Sequence, residues 1–129
     1  MAMLALMTMT PAAALPSAPP TDAVEQEIVV IASKLKDWRA SLVESRGDPR
    51  CYTQRSTGDA AIDRIGCQSM LQCHKRYKAE FAGFKDRRIP SSKRSEMRKT
   101  FLRNEFSSCV FEVRDAMVAE LADQRAAAR

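Results

Sequence analysis

Four cysteines and a single histidine carry the spacing-dependent chemistry of this chain: Cys51, Cys67, Cys73, Cys109 and His74. A zinc site wants paired C-x₂-C ligands or several histidines, and these spacings are too wide. A thioredoxin-like redox pair needs C-x-x-C, which is absent. Covalent haem attachment needs C-x-x-C-H. Cys73 and His74 supply its last two residues, but the preceding cysteine is Cys67, so the spacing fails. A nucleophilic thiol would be oxidised in an exported chain. An even cysteine count in a small exported chain reads instead as two disulfides.

Acid–base chemistry could draw on Asp59, Asp63 or Glu80, but no two carboxylates stand out as a catalytic pair. Asp59 is better explained as a helix cap. His74 would become a candidate base only in a pocket shared with Asp63 or Glu80. No Gly-rich phosphate loop and no nucleophile elbow is present. One Trp, one His and four Gly are little material for an active site. A binding or structural module is therefore expected ahead of an enzyme, with no cofactor and no metal.

The elements that position these residues follow from periodicity. Val24, Ile28, Ile31, Leu35, Trp38 and Leu42 recur at spacings of 4, 3, 4, 3 and 4, an a/d stripe on one helical face. Asp22 stands three residues before Glu25, as in a capping box, and Gly47-Asp48-Pro49 closes the run. This predicts helix 1 over 22–46. Residues 47–59, rich in Gly, Pro, Ser, Thr and Asp, read as a loop. Asp59 then caps a helix running from Ala60 to Arg87 through Ile62, Ile65, Met70, Cys73, Tyr77, Phe81 and Phe84. Gly66 within it, beside Cys67, marks a close backbone approach. Ile89-Pro90 breaks the pattern. Ser91 or Ser92 is the expected cap of a third helix carrying Met97, Phe101, Leu102, Phe106, Cys109, Val110, Val113, Met117 and Leu121. The DQRAAAR tail is expected to fray. The fold class expected is all-α: a three-helix bundle or helical hairpin plus N-terminal helix over 22–125. Only EIVVI at 27–31 competes as a strand.

This layout constrains the disulfides. Cys67 and Cys73 on one helix would stand about 9 Å apart, too far to bridge. Cys73 and Cys109 have their sequence midpoint at residue 91, inside the break, so an antiparallel hairpin sets them opposite each other. Cys51 and Cys67 are centred on Asp59. The expected pairing is Cys51–Cys67 with Cys73–Cys109. Cys51–Cys73 with Cys67–Cys109 stays open.

The apolar residues 1–14, ending in Ala12-Ala13-Ala14, resemble an export signal, and 15–21 (LPSAPPT) is a Pro-rich linker. One element is missing: no Lys or Arg precedes Lys34, so the true start lies upstream or the signal is a poor one. The expected location is periplasmic or secreted. No segment is apolar and long enough to span a bilayer.

The formal charge of +5 is uneven, since Lys75 to Arg103 holds eleven Lys and Arg against Glu80, Asp86 and Glu96. Ten of these are the expected contacts with an anionic partner: Lys75, Arg76, Lys78, Lys85, Arg87, Arg88, Lys93, Arg94, Arg98 and Lys99. A solvated hairpin tip accounts for the same charge without any partner. For nucleic acid no recognition motif is present, and export argues against it. A protein partner is the alternative, met through the Trp38 helix or as a homodimer through the a/d stripe. A stripe packed on the other two helices makes the chain a monomer.

Two resemblances bear on partners. Residues 26–33 (QEIVVIAS) are similar to the TonB box of alphaproteobacterial outer-membrane receptors, an acidic-flanked segment soon after the signal peptide. That implies capture of Ile28 to Ile31 as an added β-strand by the energy-coupling protein. The same residues are helix-face positions, and the a/d stripe is the stronger pattern. The segment EIVVIASKLKDWR, with Cys51 to Asp59, Ile62 to Cys67, and Met70 and Cys73, resembles small exported proteins of sphingomonad-type alphaproteobacteria. The resemblance covers 27–73. It implies the periplasm and a Cys51/Cys67 staple, and it transfers no activity.

Overall fold

The computed structural model describes residues 21–129; the leader and nearly all of the Pro-rich linker lie outside them. Helix α1 spans Thr21–Asp37 and is followed by an antiparallel hairpin, β1 (Arg39–Ser45) and β2 (Asp48–Arg55). Then come α2 (Ala60–Arg76), α3 (Lys78–Gly83), α4 (Ser91–Phe101), a π-helical turn at Leu102–Phe106, and α5 (Ser107–Ala127). The chain is mostly helical, but the all-α expectation is corrected by the hairpin.

The correction has a physical cause. Helix 1 was expected to reach 46, yet it stops where Trp38 N–H bonds the Leu35 carbonyl. The Arg39 guanidinium covers the carbonyls of Lys36 and Trp38, both at 2.8 Å. The step from Trp38 to Leu42 is four residues, which suits one face of a helix and one face of a strand equally. Arg46 (φ 54°) and Gly47 (φ 84°) both take positive φ, the requirement of a tight two-residue hairpin turn. Arg-Gly is a weak signal for such a turn. Pro49 sits in an edge strand, where its missing N–H is tolerated. The EIVVI segment is helical: Ile31 is fully buried in α1 while Val29 and Val30 face outward.

Two packed cores result. Ile31, Leu35, Trp38, Ile62, Ile65, Val118 and Ala122 form one, between α1, α2 and α5. Cys73, Phe81, Phe101, Phe106, Cys109 and Val110 form the other. Met70 packs against both, so the two are continuous through α2. The a/d stripe is consumed inside the chain.

The disulfides join Cys51 to Cys67 and Cys73 to Cys109, with Cα separations of 5.6 and 6.0 Å. The first ties β2 to α2. The second ties α2 to α5 across the second core.

The long second helix breaks at Tyr77, whose backbone (φ −103°, ψ 28°) leaves the helical region. The break lets Phe81 fold back onto His74, with ring centroids 4.4 Å apart and planes at 20°. In an unbroken helix these residues would lie about 10 Å apart along the axis. At α4 the cap expectation is corrected: Pro90 holds the N-cap position and neither Ser91 nor Ser92 caps by side chain. Arg94 instead binds the Ile89 and Phe84 carbonyls of the preceding loop. The C-terminal tail does not fray. Ala122 and Ala126 are buried, Arg125 binds Asp59 at 2.7 Å, and Arg129 pairs with Glu27.

Candidate functional site

The basic segment divides into cations with structural work and cations without it. Lys85 pairs with Glu44, Arg88 with Asp86 at 2.9 Å, and Arg94 spends its guanidinium on loop carbonyls. Lys75, Arg76, Lys78, Arg87, Lys93, Arg98 and Lys99 are exposed and make no ion pair among the described residues. In α4 every residue from Ser91 to Thr100 except Arg94 is exposed. Only Phe101, at its end, is buried. A helix polar on nearly all sides draws little stability from burial, so α4 is presented to solvent rather than used in the core.

Beneath this segment lies a partly open cavity of about 440 Å³, bordered by β1 of the hairpin. Leu42, Met70, Phe81, Phe84, Leu102 and Phe106 make it apolar, and Glu44, His74, Lys85 and Arg98 supply its polar edge. His74 is 5% exposed. Its Nε2 lies 2.6 Å from Glu44 Oε1, and Lys85 Nζ reaches the other carboxylate oxygen. The hydrogen bond from Lys85 outweighs the opposing effect of burial and, with His74, holds the Glu44 carboxyl below its ordinary value of 4.5. The Glu44 carboxylate is the acceptor, so His74 Nε2–H donates.

His74 thus meets neither of the carboxylates that would have made it a candidate base. Glu80 is exposed. Asp63 is taken by the 55–59 turn: Ser56 Oγ donates to it, and Thr57 donates from N–H at 2.8 Å and Oγ1 at 2.7 Å. Burial pushes Asp63 up, but these donors prevail and hold it below its ordinary value of 3.8. Asp59 caps α2 as expected, accepting from Ala61 N–H at 3.1 Å and Ile62 N–H at 3.4 Å. Burial pushes its carboxyl up too, and Arg125 with the two N–H groups outweighs it. Glu44 is the partner that sequence reasoning missed, because residue 44 falls inside a stretch with helical spacing. The only signal was the run RASLVES ahead of Arg46-Gly47.

Trp38 is not available to a partner: it is 6% exposed, backed by Gly66, with the Arg114 guanidinium 6.0 Å from its ring centre. Burial lowers the Arg114 pKa, with Asp115 opposing. Its Nε and Trp38 Nε1 are buried without a hydrogen-bond partner among the described residues. All four cysteines are in disulfides. Among the described residues no cluster of three His, Cys, Asp or Glu is placed to hold a metal ion, and no helix is long and apolar enough to cross a membrane. No family model matches the chain, and no curated protein or solved structure is significantly similar to it.

Proposed function

We propose that this is a small exported, non-enzymatic binding module whose basic stretch from Lys75 to Arg103 docks on an anionic component of the cell envelope. The observation that carries the reading is the set of eight exposed cations without acidic partners among the described residues, Arg103 with the seven above, three of them on the solvent-presented helix α4. Two closed disulfides suit an oxidising compartment. The resemblance of 27–73 to exported alphaproteobacterial proteins points to the periplasm. Each Lys or Arg near an anionic surface contributes about 1 kcal/mol, so a few acting together suffice for measurable binding.

Co-sedimentation of the disulfide-intact protein with phosphatidylglycerol-containing vesicles tests this. Binding is expected there and not to phosphatidylcholine alone. It should fall steeply with salt, since the Debye length shrinks from about 10 Å at 0.1 M to about 3 Å at 1 M. A triple variant, Lys93→Gln with Arg98→Gln and Lys99→Gln, should lose most of it. Salt-insensitive binding, or none, would refute the reading.

One observation favours a protein partner instead. Val29 and Val30, on the outer side of α1, are 67% and 46% exposed. Sedimentation separates a homodimer through this face from a monomer. A TonB-box-like role would require α1 to unwind at these residues.

A further inference from the structure

The cavity under the basic segment holds a combination that the surface reading does not use. Its interior is apolar and aromatic: Phe81, Phe84 and Phe106 with Leu42, Met70 and Leu102. Its charged and polar lining is limited to Glu44, His74, Lys85 and Arg98. There Glu44 is paired with Lys85, and His74 hydrogen-bonds its other carboxylate oxygen, so both oxygens are engaged. Arg98 stands at the same cavity with no acidic partner among the described residues. Lys85 and Glu44 cancel, so the uncompensated charge is a single guanidinium.

We propose that this cavity is a binding site for a small amphipathic monocarboxylate, its carboxylate on Arg98 and its apolar body against the partly buried Leu42, Met70, Phe84 and Leu102. A planar guanidinium matches a carboxylate with two parallel N–H donors, which a lone ammonium cannot do. One net positive charge fits a monoanion better than a phosphate diester bearing two acyl chains, for which about 440 Å³ is also too small. The wall of the cavity is itself unusual. Leu102 and Phe106 are the first and last residues of the π-helical turn, a geometry that recurs at functional sites. The hydroxyls of Ser107 and Ser108 bond back to the Arg103 and Asn104 carbonyls and support the irregular turn. Glu44, from the hairpin, ties β1 to the cavity through its bonds to α2 and to Lys85.

The test is titration of the disulfide-intact protein with decanoate and with 4-phenylbutyrate, followed by calorimetry and by methyl NMR. No vesicle is present, so the outcome is independent of the docking proposed above. At least one acid should bind saturably at one site and move the methyls of Leu42, Met70 and Leu102. An alkyl or an aryl preference then defines the body of the ligand. Decanol should bind at least tenfold more weakly than decanoate if the alkyl acid is the ligand. Arg98→Gln should cost tenfold or more, and Arg98→Lys should recover only part of it. Arg98 is exposed, so both variants keep the fold. Binding unchanged in Arg98→Gln, shifts confined to the outer face of α4 or to α1, or no binding of either acid would each overturn the site.

Discussion

A β-carbon built on Gly66 would lie 2.6 Å from the Trp38 ring: the indole lies flat against the bare backbone of α2 at that point. This contact joins the end of α1 to the middle of α2. Real Cβ atoms do not approach an aromatic carbon so closely, and the ring is too buried to step aside. Gly66→Ala should therefore destabilise the protein despite the better helix propensity of Ala. Overpacking costs about 1–3 kcal/mol and propensity returns up to about 1, so a net loss of about 1–2 kcal/mol is expected. Gly83, with nothing within 4 Å of its position, is the control. Gly83→Ala should be neutral or gain up to about 1 kcal/mol. Urea melts of the two variants decide it: similar midpoints would deny the Trp38 contact its role.

The two disulfides close loops of 36 and 16 residues. In the chain-entropy account they restrict the unfolded chain by about 4 and about 3 kcal/mol respectively. Cys73→Ala with Cys109→Ala should lower stability more than Cys51→Ala with Cys67→Ala. The larger effect also reflects position, since Cys73 and Cys109 are buried in the aromatic core. Full reduction should melt or loosen the fold, and thermal unfolding unchanged in excess reductant would contradict this.

Asp59, Asp63 and Glu44 are all held below their ordinary values by hydrogen bonds and cations of the folded state. A carboxyl depressed by folding stabilises the protein fully above its unfolded pKa, about 4, and loses that contribution as pH falls through the folded value. Stability should thus be flat near neutrality and decline below about pH 4. Asp59→Asn removes one of the titrating groups and the charge facing Arg125, while Asn can still cap. It should cost about 1 kcal/mol at pH 7 and shrink the acid-side loss. An acid limb identical to wild type in this variant would show that Asp59 is not linked to folding.

Glu27 is 4% exposed and its partner is Arg129, over a hundred residues away in sequence. Arg129→Ala leaves a buried carboxylate without its cation and should destabilise by about 1–3 kcal/mol. Glu27→Gln on top of it should restore part of the loss, because the stranded charge is gone. A double-mutant cycle by chemical denaturation measures the coupling, and a value near zero would place the pair among inconsequential surface contacts.

Local chemistry alone determined a good deal of this protein. Asp59 as a cap, Ile31 and Leu35 on a buried stripe, and a break at Ile89-Pro90 all follow from neighbours within a turn or two. The favoured disulfide pairing, drawn from residues equidistant from the turns, is the one the structure shows, though the spacing alone left Cys51–Cys73 with Cys67–Cys109 open. Tertiary structure decided the hairpin and everything it delivers. A four-residue step from Trp38 to Leu42 satisfies helix and strand alike, so periodicity could not choose. Burial of Trp38 against Gly66 and the Cys51–Cys67 bond do choose, by drawing the chain into a hairpin packed on α2. The break at Tyr77 is likewise set by the stacking of Phe81 on His74 and by its packing against Phe101 and Phe106. Glu44 reaches His74 across 30 positions, a distance over which no local pattern carries information, so the cavity edge exists only once the cores have packed.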